Sequence, residues 1–575
     1  MLRRISDVCL PVLMSRPVLA RLITLAFATA LGVASPVRAQ RSPAVPVAPR
    51  PGVGPLQAAA RPYAIAYTVA MPDPASHLYE IGMEVRGALP DTLRLVLPVW
   101  SPGRYARVDF ARNVQEFGAE DGAGRALRWT KLGGSTWGVL VGGASAHVAP
   151  ERVARVRYRV FADDLSGTYS VLDTAHANWN GAGLFVYADG HKPDPVTLAI
   201  RPPAGWAVVN GPQGNPGREL PTSDGTTAFR FPNYDELVDA PTEVVPAVHM
   251  TIDTFSVDGR RYRVMLHHNG PLDAGVRRHF VDGARAIVAR ENRVIAPPPL
   301  AQYTFLAHAG YGGGDGMEHL TSTEIITARP LADSAAADRF LGTVAHEYFH
   351  TWNVKRVRPV ALGPFDYTEA QHEPSLWAAE GWTQYYGEMT PVRVGIVSRA
   401  AFYDRLARTL RAVATSPARL ERSPRAASFD APFFDGARAA MQVNSAATFV
   451  SYYTAGEARA LALDLMIRGR SDGGRSLDDV LRALKRRTWD APRATYYLDG
   501  RGYTEDDVER AASEVAGTEL HGWFDRYVGG TDDLPWAELL RAVGLTLTTG
   551  GSAWTIAEDP AATARAVALR DAWLR

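Results

Sequence analysis

The stretch His346-Glu347-Tyr348-Phe349-His350-Thr351-Trp352-Asn353-Val354-Lys355-Arg356-Val357-Arg358-Pro359 decides how the rest of the chain is read. Its first five residues set two histidines four apart. Residues at that spacing share one face of an α-helix, so both imidazoles can reach a single metal ion. Glu347 is adjacent in sequence but turned around the helix, free to meet a water beside that ion. Zinc lowers the pKa of such a water towards ~7, and a carboxylate can then take its proton as the water attacks a carbonyl. The preceding residues predict the helix itself, starting near Ser334 and carrying Phe340, Leu341 and Val344 as apolar contacts. With 14 histidines in 575 residues, chance predicts about 0.02 such patterns in the chain. A metal centre is therefore preferred to a pair of hydrogen-bonded core histidines.

Catalytic zinc usually takes three protein ligands and keeps one position open. Downstream candidates for the third ligand are Glu369, His372, Glu373, Glu380 and Glu388. Glu380 is the choice, because Leu376-Trp377-Ala378-Ala379-Glu380-Gly381-Trp382-Thr383-Gln384-Tyr385-Tyr386 reads as an aromatic-rich helical segment suited to pack beside the first helix. Glu369, His372 and Glu373 lie between Pro364 and Pro374 and read as a surface loop.

Composition limits the alternatives. Hydrophobic content of 46% and charged content of 21% are those of an ordinary globular protein, which excludes global disorder. Lys+Arg 62 against Asp+Glu 61 gives a net charge of +1, so no nucleic-acid partner is expected from bulk electrostatics. The one cysteine, Cys9, excludes a disulfide scaffold and thiolate-ligated zinc, leaving His and carboxylates to hold a metal.

The first 39 residues read as a secretory signal peptide. Arg3, Arg4, Arg16 and Arg21 precede an apolar run from Leu22 to Val33, and Val37-Arg38-Ala39 fits a cleavage site. The run falls short of the roughly 20 residues of a membrane span, and no later segment supplies one. A secreted or periplasmic product is expected, with an uncleaved anchor as the alternative. Residues 40–61 read as a flexible leader rich in Pro, Ala and Arg.

Strand signals fill 62–268, a β-rich N-terminal domain. Tyr79, Ile81, Met83 and Val85 alternate with other residues, as do Leu93, Leu95 and Leu97, and Val156, Tyr158 and Val160. Arg155, Arg157 and Arg159 take the opposite face, read as solvated rather than as a docking stripe. Asp258-Gly259 predicts a hairpin turn. Beyond about residue 275 helical spacing takes over: Phe402, Leu406, Leu410 and Val413 share a face, and Ser476 and Thr504 start helices. The catalytic domain is placed at 269–395 and a helical domain at 396–545. Residues 546–575 show no regular pattern and are read as a short C-terminal tail. No internal repeat is found.

Residues 346–359 resemble the zinc motif of the M61 glycyl aminopeptidase family, gluzincins related to the M1 aminopeptidases. So do 98–112, PVWSPGRYARVDFAR, and Asn233 to Asp239 for its N-terminal domain, Gly316-Met317-Glu318-His319 for its exopeptidase motif, and Tyr527 to Thr531 for the close of its helical domain. The resemblance runs from about 62 to 547. It implies an α+β multidomain protein with a thermolysin-like zinc catalytic domain between the β-rich and α-helical ones, and one zinc per chain held by His346, His350 and Glu380. It also implies Glu347 as base, Glu318 gripping the substrate's α-amino group beside Gly316 and Met317, and Tyr453 donating to the oxyanion, with Tyr452 as the adjacent alternative. Where the family commonly has Lys, this chain has Ala455. Only about thirty residues follow Gly544, fewer than the roughly ninety of a PDZ fold, so a PDZ-less member is expected. The function read from all this is a zinc aminopeptidase acting on peptides with a free N-terminus and a small first residue, Gly or Ala. A zinc endopeptidase and a non-catalytic peptide-binding protein are the alternatives.

Overall fold

Alternating side chains build the N-terminal half. The computed structural model describes residues 61–142, 151–222, 224–435, 443–550 and 553–575; the signal peptide expected over 1–39, Cys9 and the leader as far as residue 60 lie outside them. Strands β1 (Leu78–Gly87), β2 (Val114–Asp121) and β3 (Arg152–Phe161) belong to a seven-stranded sheet, with β3 antiparallel between β1 and β2. Tyr79, Ile81, Met83 and Val85 are buried, as are Val156, Tyr158 and Val160. On the other face the arginine stripe is paired across strands: Arg155 with Glu84 at 2.7 Å, Arg157 with Glu120 at 2.6 Å and Arg159 with Glu80 at 2.9 Å. Such opposed charges stabilise a sheet by tenths of a kcal/mol each, roughly 0.2–1, and leave no free basic surface there. A second N-terminal sheet pairs β4 (Ala177–Trp179) with β5 (Thr242–Pro246).

The central sheet has five strands: β6 (Ile252–Val257), β7 (Arg260–His268), β8 (Gln302–Ala309), β9 (Asp315–Glu318) and β10 (Ser322–Thr327), in the order β6-β7-β8-β10-β9. Asp258 and Gly259 both take left-handed backbone (φ 51° and 73°) in the β6–β7 turn, the conformation of a two-residue hairpin. This hairpin corrects the expected domain boundary. Residues 252–268, read with the N-terminal domain, pair with the central sheet, because alternation identifies a strand but not the sheet it joins. Strands β8 to β10 were also missing from the helical reading of this region. β8 is buried along its whole length, and a strand covered on both faces shows no alternation.

Helices α1 (Ala274–Glu291) and α2 (Ser334–Phe349) cover this sheet, packing Phe280, Ile287, Phe340, Leu341 and Val344 against Phe305 and Ile325. Asp333 caps α2, accepting from Ala336 N at 2.7 Å. The C-terminal region is helical. Short α3 (Leu376–Ala379) leads into α4 (Gly381–Arg393), followed by α5 (Arg399–Thr415), α6 (Tyr452–Arg470), α7 (Leu477–Arg487) and α8 (Glu505–Ala516). Ser476 with Asp479 and Thr504 with Asp507 form capping boxes at the two expected starts.

Residues 546–575 are not an irregular tail. β11 (Leu545–Gly550) and β12 (Ala553–Glu558) form a hairpin, and α9 (Ala564–Leu574) packs into the helical core with Trp573 fully buried. The period of α9 is blurred because its buried face, Leu569, Trp573 and Leu574, includes Arg570 while its exposed face carries Ala564, Ala568 and Ala572. Among the described residues no helix is long and apolar enough to cross a membrane.

Candidate metal centre

Helix α2 ends at its own metal-binding motif. His346 lies in its last turn and His350 is its C-cap residue, so the spacing of four brings the two Nε2 atoms to 3.2 Å. The third side chain comes from a break in the chain. Glu380 sits between α3 and α4, and its Oε2 lies 3.6 Å from His346 Nε2 and 3.3 Å from His350 Nε2. A tetrahedral site with arms of about 2.0–2.1 Å has edges of about 3.3–3.4 Å. The three observed edges scatter around that value, so the donor set fits a small four-coordinate cation.

The supports point the same way. His350 Nδ1 donates to the Asn353 carbonyl at 2.7 Å, which turns Nε2 towards the cup. Asn353 Nδ2 in turn donates to Ala378 and Ala379 carbonyls at 3.0 Å, tying the α2 end to α3. Tyr105, from the N-terminal half, donates to Glu380 Oε1 at 2.5 Å. That bond occupies one carboxylate oxygen and leaves the other facing the histidines. Tyr105 lies in the quoted 98–112 segment, but nothing local in sequence marks it as a partner of Glu380.

Glu347 is buried and its Oε2 has no hydrogen-bond partner. One oxygen of Glu347, one of Glu318 and a nitrogen of His350 lie within 4.8 Å of one another. Glu318 closes β9, the edge strand of the sheet. Gly316 on that strand is required by space: a Cβ there would lie 2.1 Å from Glu347 Oε1. Met317 points into the interior and is fully buried. Tyr453, in the first turn of α6, stacks on His346 with ring centroids 6.2 Å apart. Tyr452 is turned away into the core, edge-on to Tyr105. Ala455 lies in a small apolar nest with Ala418, Ala427 and Val450.

Electrostatics complete the picture. Burial holds the Glu347 pKa well above the carboxylate range, with Glu318 and Glu380 adding to it against His350. Burial opposes charge on His350, yet Glu380, Glu318 and Glu347 push its pKa up to about 10. Burial would also raise Glu380, but His350 and His346 outweigh it and hold it well below the usual range. Burial lowers His346. Three carboxylates thus crowd around His350 and favour positive charge there, and a divalent cation in the cup would supply that charge in place of the imidazole proton. Burial, then Glu380, raises the Tyr453 phenol far above its ordinary value, so it stays a hydrogen-bond donor.

The other third-ligand candidates are elsewhere. Glu388 is ion-paired with Arg405, His372 Nδ1 bonds the Phe429 carbonyl, and Glu369 is exposed. Glu373 departs from the surface-loop reading. It is buried, accepts from Ser375 N at 2.8 Å, and burial raises its pKa to about 7.

Two imidazoles and a carboxylate around a small cup, with a buried carboxylate beside it, fit the centre of a metallopeptidase. The M61 peptidase N-terminal domain matches residues 66–245, and the M61 glycyl aminopeptidase domain matches 339–458. The chain belongs to the M61 family. Among solved structures, an aminopeptidase N family protein from Idiomarina loihiensis is similar, at 25% identity and a TM-score of 0.73, over 84% of this chain and 79% of that one. No curated protein matches.

Proposed function

We propose that the protein is an exported zinc-dependent aminopeptidase, of thermolysin-like catalytic architecture, that removes a small first residue, Gly or Ala, from peptides. The observation that carries this reading is Glu318, an anion at the end of an edge strand within 4.8 Å of Glu347 and His350. An extended peptide can lie along an edge strand. Its α-ammonium would pair with Glu318, which registers the first peptide bond against Glu347. The match to the M61 glycyl aminopeptidase domain supports a small first residue, Gly or Ala.

His346, His350 and Glu380 would hold the zinc, which supplies Lewis acidity to the scissile carbonyl and to the attacking water. The chain does the rest. Glu347 Oε2, buried and unpartnered, takes the water's proton and passes it to the leaving amine. The Tyr453 hydroxyl donates to the oxyanion, where one such donor contributes about 10²–10³ in rate. Tyr105 and Asn353 keep Glu380 and His350 aimed.

The test is a panel of Xaa-Ala peptides, free and N-acetylated, with and without a chelator. Expected is cleavage only of free peptides, fastest for Gly and Ala, and abolished by chelation. Equal cleavage of acetylated peptides would instead make the enzyme an endopeptidase. Glu347→Gln should lower kcat by about 10²–10⁴ while metal analysis shows zinc retained; full activity in that variant would remove Glu347 from the mechanism.

A further inference from the structure

A second set of ligand-type side chains lies where an N-terminal sheet meets the central one. His176 directly precedes β4 and Glu243 is on β5, while His267 on β7 stands opposite His308 on the parallel strand β8. Glu243 and His308 are fully buried and His176 is 3% exposed. One donor atom each from His176, Glu243 and His267 lies within 4.8 Å of the others.

The bonded atoms face outward and the bare ones face one another. Glu243 Oε2 accepts from Asn178 Nδ2 at 3.0 Å and lies 3.2 Å from His308 Nε2. His267 Nε2 is 3.1 Å from the Tyr311 hydroxyl, which can accept its proton. That leaves Glu243 Oε1 and His267 Nδ1, 3.7 Å apart, without hydrogen-bond partners; neither ring nitrogen of His176 makes a hydrogen bond, and its Nδ1 lies 3.6 Å from Asp173 Oδ1, an ion-pair distance. Buried polar atoms are ordinarily satisfied. One such atom on each of three side chains at one spot, with Glu243 and His267 fastened from behind, has the arrangement of ligands oriented by an outer shell.

We propose that His176, Glu243 Oε1 and His267 Nδ1 bind a second divalent metal ion of zinc type, which clamps the N-terminal β4–β5 sheet to the central sheet. Two imidazoles and one carboxylate, with no thiolate, suit zinc rather than calcium or magnesium, which take mostly oxygen ligands. The ligand atoms, within 4.8 Å of one another, must close by up to about 1.5 Å to reach the edges of a tetrahedral site. A cavity of about 560 Å³, lined in part by Thr174, His267, His268 and Tyr311, borders the cluster and gives a water access to the fourth position. Because the ligands come from two sheets, binding here is coupled to their docking.

The site is tested on the full chain, free of any histidine tag, by zinc analysis after dialysis and by thermal unfolding. Wild type should hold two zinc ions per chain and His346→Ala one. His176→Gln and His267→Gln should each also hold one, keep peptidase activity, and lose the rise in unfolding temperature that zinc gives the His346→Ala protein. Anomalous scattering at the zinc edge from wild-type crystals, which needs no variant to fold, should place a peak among His176, Glu243 and His267. A folded His346→Ala protein without zinc, or no such peak in zinc-soaked crystals, would overturn the proposal. An inactive His346→Ala protein that still holds one zinc separates this site from the peptidase centre.

Discussion

At the residue scale the centre depends on atoms that never touch a substrate. Tyr105 fixes one oxygen of Glu380 across 275 residues of sequence, so Tyr105→Phe should leave the fold intact while weakening metal affinity or activity about 10–100-fold, read by zinc competition with a chelator. His346, Glu347 and His350 were legible in sequence because helical geometry converts a spacing of four directly into proximity. Glu380 was legible only by its aromatic company, which placed it on a packed segment. Tyr105 and the His176–Glu243–His267 cluster were not legible, since each of these contacts is made by tertiary packing between residues that no local period relates.

At the element scale, two helices must nearly touch for Tyr453 to stand over His346. α4 and α6 cross at Gly381 and Gly456, and a Cβ on Gly456 would lie 2.1 Å from the Trp377 carbonyl oxygen. Gly456→Ala should therefore cost about 1–3 kcal/mol in urea unfolding and lower kcat by shifting Tyr453. One turn beyond Tyr453, α6 also carries a buried acid. Burial, with Glu388 adding and Arg405 opposing, raises the Glu457 pKa to about 7. The folded state holds that proton more tightly than the unfolded chain. The stability it contributes is full below pH about 4.5 and lost as pH rises through about 7, a change of about 3 kcal/mol. Unfolding midpoints should fall between pH 5 and 8, and Glu457→Gln should flatten that slope. Capping boxes made the starts of α7 and α8 readable, whereas the close crossing at Gly456 has no signal beyond the residue itself.

At the scale of the whole molecule the distant end of the chain props the centre. Trp573 on α9 donates to the Tyr385 hydroxyl at 2.8 Å, and Tyr385 donates to Asp464 on α6 at 2.6 Å. α9 is thus tied to both helices that flank the metal cup. Trp573→Ala should cost about 3–5 kcal/mol in urea unfolding, with kcat falling as α4 loosens. The β-rich start and helical finish were readable from hydrophobic period, but the docking of α9 was not, because Arg570 interrupts its buried stripe while Ala564, Ala568 and Ala572 make the exposed face apolar as well. The scatter of the centre along the chain has a temporal consequence. Its parts arrive at positions 105, 318, 346, 350, 380 and 453, and the helix that braces them follows more than a hundred residues later. A growing polypeptide therefore carries no complete centre until it has passed Tyr453, so the six side chains can only be assembled late and by long-range docking.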